Sequence, residues 1–201
     1  MEQALRIFSY LRVVDKLKLC MDFEFPNFTR VDAQSSREEF QMMYRGAKEE
    51  LPARMPLPRG MVVEITAYCD ASYATNKVTR KSHTGFIIFV NKAPVIWHSK
   101  KQNTVEGSTF GAEYIALKAC IEAIVSLRFK LRMFGIPIVE EPANVFCDNE
   151  SVVKNSTKVE SVLNKKHNSV VYHYVRWNVA AGVIQVSWIS TDFNLADLFT
   201  K

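Results

Sequence analysis

Between residues 61 and 99 the apolar positions fall in short runs separated by polar pairs: "VVEITAYCD" (62–70), "HTGFIIFV" (83–90) and "APVIWHS" (93–99). Runs of this length, rich in β-branched and aromatic residues, predict strands. Only Asn91 and Lys92 separate the second from the third, the length of a tight hairpin loop, so an antiparallel meander is expected. The period then changes. Phe110, Tyr114, Leu117 and Ile121 recur at helical spacing and predict a long helix that opens at Ser108 or Thr109, both good N-caps, and runs to about Gly135 and Pro137. The remaining pattern reads as a strand at 144–148, a helix from Asn149, a Lys-rich turn, a helix from about Lys165 to Ala181, a strand "VIQVSWI" (183–189) and the start of a helix at Asn194. Strands separated by helices are usually parallel neighbours, so the order predicts an α/β fold in which a meander is extended by parallel strands.

The first sixty residues read differently. In "EQALRIFSYLRVVDKLKLCMDF", Ala4, Phe8, Leu11 and then Val14 or Leu17 are at helical spacing, predicting an amphipathic helix followed by a short strand. A second helix is expected to open at Ser36, which forms an S-x-x-E capping box with Glu39, and to carry Phe40, Met43, Ala47 and Leu51 on one face before stopping at Pro52. "LPARMPLPRG" (51–60) holds three prolines and a glycine, which neither helix nor central strand tolerates. Residues 52–60 are therefore the candidate linker, dividing the chain into residues 1–60 and a main domain of 61–201. The chain has no internal repeat and no low-complexity tract.

Composition narrows the chemistry. A chain of 201 residues that is 48% apolar can bury a real core and fits one domain plus an appendage better than two full domains, which argues against disorder. Lys and Arg outnumber Asp and Glu by 26 to 21, which favours an anionic partner such as nucleic acid. Cys20, Cys69, Cys120 and Cys147 form no C-x-x-C pair and only four histidines are present, so neither a zinc site nor a disulfide framework is suggested and a reducing compartment fits best. No stretch reaches the ~18 apolar residues of a membrane span and no signal peptide pattern opens the chain, so a soluble protein without a membrane partner is expected.

Two of the expected buried strands end on acids. Asp70 closes the first and Asp148 the fourth, and in a parallel pair both would lie at the carboxyl edge, where α/β folds place their chemistry. Cys69 and Cys147 would then point to the opposite face as small core residues. Glu113, in "STFGAEYIAL", shares a side with Phe110 and Leu117 on the long helix, and an acid on an apolar stripe needs a partner. Asp197, in "NLADLFTK", sits early in the last expected helix, with Asp192 as its competitor. Four converging carboxylates without matching cations would repel strongly, and a divalent cation resolves the conflict. Oxygen-only ligands select hard ions such as magnesium. Two such ions ~3.5–4 Å apart can activate a water and stabilise the leaving oxygen in phosphodiester hydrolysis.

"YCDASYA", "RKSHTGFIIFV", "WHSKKQNTVEGSTFGAEYIAL", "VFCDNESVVK", "KKH" and "NLADLFTK" together resemble, in order and spacing, the ribonuclease H domain of copia-type (LTR) retrotransposon polyproteins. The resemblance covers 61–201. The first sixty residues resemble the tail of the reverse transcriptase that precedes this domain, chiefly through "ALRIFSYLRVVDKLKL", which would make the chain a segment of a longer polyprotein. The resemblance implies an α/β ribonuclease H-like fold: a five-stranded mixed sheet, three antiparallel strands then two parallel, with helices on both faces. It implies an endonuclease that hydrolyses the RNA strand of RNA–DNA hybrids during reverse transcription with two Mg2+ ions, Mn2+ being the alternative metal. Its acidic tetrad falls by motif on Asp70, Glu113, Asp148 and Asp197, with "N-x-x-A-D" favouring Asp197 over Asp192. Its partners are the hybrid and the upstream reverse transcriptase domain, and its compartment the cytoplasm, a virus-like particle or the nucleus.

Other residues take roles from chemistry more than motif. His167 is the candidate for assisting product release, beside the plainer reading that it orients a helix start; His173, His83 and His98 read as structural. Ser108, Thr109 and Asn149 offer hydrogen bonds to sugar or phosphate, or act only as helix caps. Arg80 and Lys81, Lys100 and Lys101, and Lys165 and Lys166 form three basic clusters suited to two nucleic-acid backbones, provided that all flank the acidic edge. Trp97, Trp177 and Trp188 read as packing residues, because a hybrid duplex hides its bases and is recognised by width and 2′-hydroxyls. Where the family often has an acid after the motif matched by "HYVR", this chain has Trp177. The alternative function is a catalytically decayed domain that binds nucleic acid or supports the polymerase. A mononucleotide-binding domain is disfavoured by the lack of G-x-G-x-x-G or a P-loop.

Overall fold

The structure, a computed structural model, describes residues 30–163 and 168–201. The amphipathic helix and short strand expected before residue 30, the Lys165/Lys166 cluster and His167 lie outside the described residues. Helix α1 (Arg30–Met43) precedes an irregular stretch that leads into strands β1 (Ile65–Ser72), β2 (His83–Val90) and β3 (Ala93–Lys101). Helix α2 (Thr109–Met133), strand β4 (Ala143–Cys147), helices α3 (Glu150–Thr157) and α4 (Ser169–Ala180), strand β5 (Ile184–Trp188) and two short 3-10 helices, Thr191–Phe193 and Leu195–Phe199, complete the order.

The sheet order is β3-β2-β1-β4-β5. β1 and β3 flank β2 antiparallel, whereas β4 lies parallel to both β1 and β5, giving the expected mixed sheet of three antiparallel and two parallel strands. The hairpin loop is Asn91 and Lys92, with Asn91 at φ 54°, the left-handed geometry that a two-residue hairpin demands.

The two faces are covered unequally. On one, Ile65, Ala67, Cys69, Ile88, Val145, Cys147 and Ile184 pack with residues of helices α1 to α4, among them Phe40, Leu117, Val152 and Val175. On the other, Tyr68, Phe89 and Phe146 meet Ile189 and Ala196, so that face is roofed by the 3-10 segment. The pleat alternates at every residue, which is why Cys69 and Cys147 turn into the helical core while Asp70 faces away from it. Their sulfurs lie 2.9 Å apart, and hydrogen bonding to Cys147 followed by burial pushes the Cys69 thiol well up.

Two sequence expectations are corrected. The helix placed at Ser36 begins by Arg30, so Ser36 lies in its interior, and it ends at Met43 rather than at Pro52. No proline or glycine stands between Arg30 and Ser36 to stop the helix from extending upstream, and a capping-box pattern does not itself forbid that. Met43 and Leu51 are consequently exposed, whereas Phe40 is completely buried. The helix expected at Asn194 is a 3-10 helix, Leu195–Phe199, with Asn194 as its cap and Asp197 N–H donating to Asn194 O at 3.1 Å. This segment lies flat on β1 and β2 at Gly85, where a Cβ would come 2.7 Å from Thr200 Cγ2 and 2.9 Å from Ala196 O.

The chain before the prolines shares the main core. The Phe40 ring packs beneath the Arg176 guanidinium at 4.9 Å, and Tyr44 hydrogen-bonds His173 Nδ1 at 2.7 Å. Trp177 meets the Tyr44 ring edge-on at 6.3 Å, which gives the tryptophan after "HYVR" a packing role. Glu49 accepts from Arg128 Nε at 2.7 Å and Nη2 at 3.0 Å, and from Arg132 Nη2 at 2.8 Å. Burial alone would raise the Glu49 carboxyl, but the two guanidinium groups outweigh it and hold it below the ordinary range. Truncating Phe40 to Ala should cost about 3–5 kcal/mol, as for other buried aromatics, measured by urea denaturation of the chain. A loss below about 1 kcal/mol would show that residues before the prolines are dispensable to the core.

Candidate active site

Parallel pairing of β1 with β4 aligns Tyr68 with Phe146. Two residues further along each chain stand Asp70, still within β1 and opposite Gly85, and Asp148, just beyond β4. Both therefore sit at one carboxyl edge. Glu113 arrives from the other side of the sheet: Ser108 Oγ caps α2 by accepting from Gly111 N–H at 3.2 Å, and Ala112 and Ala116 pack directly on Ala71. Small side chains at that contact let the helix approach the strand end closely enough for its acid to reach the edge.

Ligand-capable oxygens of Asp70, Glu113 and Asp148 all lie within 4.8 Å of one another. Asp70 and Glu113 are buried and Asp148 is partly so. Glu113 Oε2 is sealed from solvent without a hydrogen-bond partner. Burial, then the charges of Asp70 and Asp148, push the Glu113 carboxyl up to about 9. Burial also raises Asp70, reinforced by Asp148 and Asp197 and opposed by a hydrogen bond from Thr200. A crowded set of oxygen donors with one orphaned oxygen fits a hard divalent cation, the partner that would relieve the repulsion.

Asp197 stands outside this trio: its Oδ2 accepts from Lys201 Nζ, although its charge still bears on Asp70. Asp192 lies in the 3-10 helix Thr191–Phe193 and is likewise not in the trio. Ser108 and Asn149 both serve as helix caps, Asn149 Oδ1 accepting from Ser151 N–H at 3.0 Å and Val152 N–H at 3.3 Å. Thr109 is exposed as the first residue of α2. The row Ser72–His83–Lys101 across β1, β2 and β3 puts Lys101, with Lys100 beside it, at the same end of the sheet as the carboxylates. Arg80 and Lys81 lie in the β1–β2 connection, which turns at that end. His83 hydrogen-bonds Thr75 at 3.3 Å and His98 stacks on Phe86 at 4.8 Å. Trp188 Nε1 donates to Asp148 O at 3.0 Å, and Trp97 is exposed.

Sequence reasoning missed two threonines. Thr191 Oγ1 donates to Asp148 Oδ2 at 2.9 Å, and Thr200 Oγ1 to Asp70 Oδ2. No local pattern announces such contacts, since each joins residues far apart in the chain.

No protein-family model matches the chain. It is 30% identical over 145 residues to the retrovirus-related Pol polyprotein from transposon RE1 of Arabidopsis thaliana, a match over 72% of this chain and 10% of that protein. It is 33% identical over 137 residues to the corresponding polyprotein from transposon TNT 1-94 of Nicotiana tabacum, over 68% of this chain and 10% of that one. The chain thus spans about a tenth of the curated relatives it matches. Among solved structures, RNase H1 from Halobacterium salinarum NRC-1 superposes with a TM-score of 0.52 at 17% identity, covering 68% of this chain and 93% of the other. LC11-RNase H1, solved in complex with an RNA/DNA hybrid, gives 0.51 at 20% identity, over 68% and 93%. These likenesses establish the fold.

The raised carboxyls make stability depend on pH in a defined direction. Folded Glu113 keeps its proton up to about 9, whereas its ordinary value is 4.5. The stabilisation is full below the lower value and is lost as pH rises towards the upper one. In chelator, the melting temperature of the chain should therefore fall between about pH 5 and pH 9, and Glu113→Gln should flatten that slope. Equal slopes in parent and variant would count against the raised carboxyl.

Proposed function

We propose, for a chain whose homologues are retrovirus-related Pol polyproteins of copia-type transposons and whose fold is that of the ribonuclease H domains, that it is an endonuclease cutting the RNA strand of RNA–DNA hybrids. The observation that carries this reading is the meeting of Asp70, Glu113 and Asp148 within 4.8 Å at the carboxyl edge of the sheet. Asp70, Glu113 and Asp148 would hold divalent cations, joined by Asp197, whose charge bears on Asp70. When bound, Mg2+ or Mn2+ ions supply positive charge at the scissile phosphate and acidify a water.

The chain's own residues do the rest. Burial and mutual repulsion keep the carboxylates poised for cations and disfavour an empty, fully ionised site. Lys100, Lys101, Arg80 and Lys81, gathered at the same sheet end, hold backbone phosphates and give affinity without reading sequence. Thr109, exposed at the head of α2, is placed to reach a sugar or phosphate oxygen. His167 is assigned to product release. The setting is reverse transcription of the transposon, with the hybrid and an upstream reverse transcriptase as partners. Among the described residues no helix is long and apolar enough to cross a membrane.

The test is incubation of the chain with labelled RNA–DNA hybrid, duplex DNA and duplex RNA, with and without magnesium. Hybrid alone should be cut, and only with metal. Asp70→Asn or Asp148→Asn should lower the rate by about three orders of magnitude, since several kcal/mol of charge stabilisation is removed at tenfold per ~1.36 kcal/mol. Undiminished cleavage by a pure, folded variant would remove that residue from the mechanism.

A further inference from the structure

Resting on the proposed metal-dependent site, we infer that Thr191 and Thr200 are positioning residues that fix the orientation of its two aspartates. Both come from the segment that follows β5, and each hydroxyl meets the Oδ2 oxygen of one aspartate: Thr191 on Asp148 at 2.9 Å and Thr200 on Asp70. A carboxylate turns easily about its last torsion and offers two equivalent oxygens. Occupying one by a hydroxyl donor stops that rotation and leaves the other oxygen to serve a cation.

The geometry around Thr200 has a cause. Its hydroxyl also lies 3.1 Å from Asp197 O, so one proton serves two acceptors. The carboxylate takes it, because a charged acceptor makes the stronger bond. The hydroxyl reaches Asp70 only because the residue opposite Asp70 is Gly85, whose missing side chain admits Thr200, Ala196 and Phe199 to the sheet surface. Further contacts tie the same segment down: Asn194 Nδ2 donates to Cys69 O at 3.1 Å, next to Asp70, and Ser99 Oγ to Phe199 O at 2.6 Å. Asp197 lies between the two threonines in sequence, so one short stretch delivers an acid and both orienting hydroxyls to the edge.

A merely structural role would anchor the segment without affecting cations. The two are separated by counting and titrating Mn2+ by electron paramagnetic resonance on the whole chain, as parent and as Thr191→Val, Thr200→Val, Thr191→Ser and Thr200→Ser. Outer partners of metal ligands typically change affinity by about 10–100-fold, so each valine variant should bind Mn2+ at least about tenfold more weakly while each serine variant stays close to the parent. Valine variants that bind like the parent, or serine variants as weak as valine, overturn the inference. Thr200 is buried and its valine variant risks the fold; Thr191 is exposed, so its pair alone decides the matter if Thr200→Val does not fold. A parent that binds Mn2+ but leaves hybrid intact would end the nuclease reading while the binding comparison still stands. A parent that binds no Mn2+ would end both.

Discussion

Repulsion between like charges held close together and away from water governs the design of this molecule. Three carboxylates within 4.8 Å, two of them buried, are an arrangement that folding by itself disfavours. It persists because each acid is carried on an element fixed by something else. Asp70 belongs to the central strand, Asp148 to the end of its parallel neighbour, and Glu113 to a helix of 25 residues whose apolar side is committed to the core. The hydrophobic burial of those elements overrides the local electrostatic cost and leaves an edge that favours cations.

The parts of this design that depend on local pattern were legible in the sequence. The bounds of β2, His83–Val90, coincide with the apolar run, because a two-residue hairpin fixes where the following strand begins. Ser108 caps α2 because its hydroxyl can close the first turn, a decision made within three residues. Asp70 and Asp148 were readable as neighbours because strand-ending acids on parallel strands must share an edge. What stayed hidden was set by partners remote in sequence. Thr200 and Asp70 are 130 positions apart, Glu49 and Arg128 79 apart, and neither spacing has a period to detect. Ser36 misled because its capping signature is local while the helix was decided by a longer stretch.

The N-terminal side shows the same logic in a structural role. Arg128 is almost fully buried on α2, and a lone guanidinium there would be costly. Glu49 supplies the counter-charge and engages Arg132 as well, so the stretch between α1 and the prolines is fastened to the far end of the helix that carries Glu113. Arg176 acts similarly on the other side. It donates to Asn155 O, Lys158 O and Ser161 O while stacking on Tyr172 at 4.1 Å and Phe40, drawing the loop after α3 and helix α1 onto one side chain.

The outermost place of β3 in the sheet has its own outcome. A long border strand presents unsatisfied amide and carbonyl groups that invite a second molecule to add on, and this one also displays Val95 and Trp97. Three features work against such growth. Pro94 deletes a donor from the rim, the register shifts between Ile88 and Phe89, and Lys100 and Lys101 close the strand with like charge that a neighbouring copy would meet head-on. The two lysines thus guard the protein against polymerising along its open border.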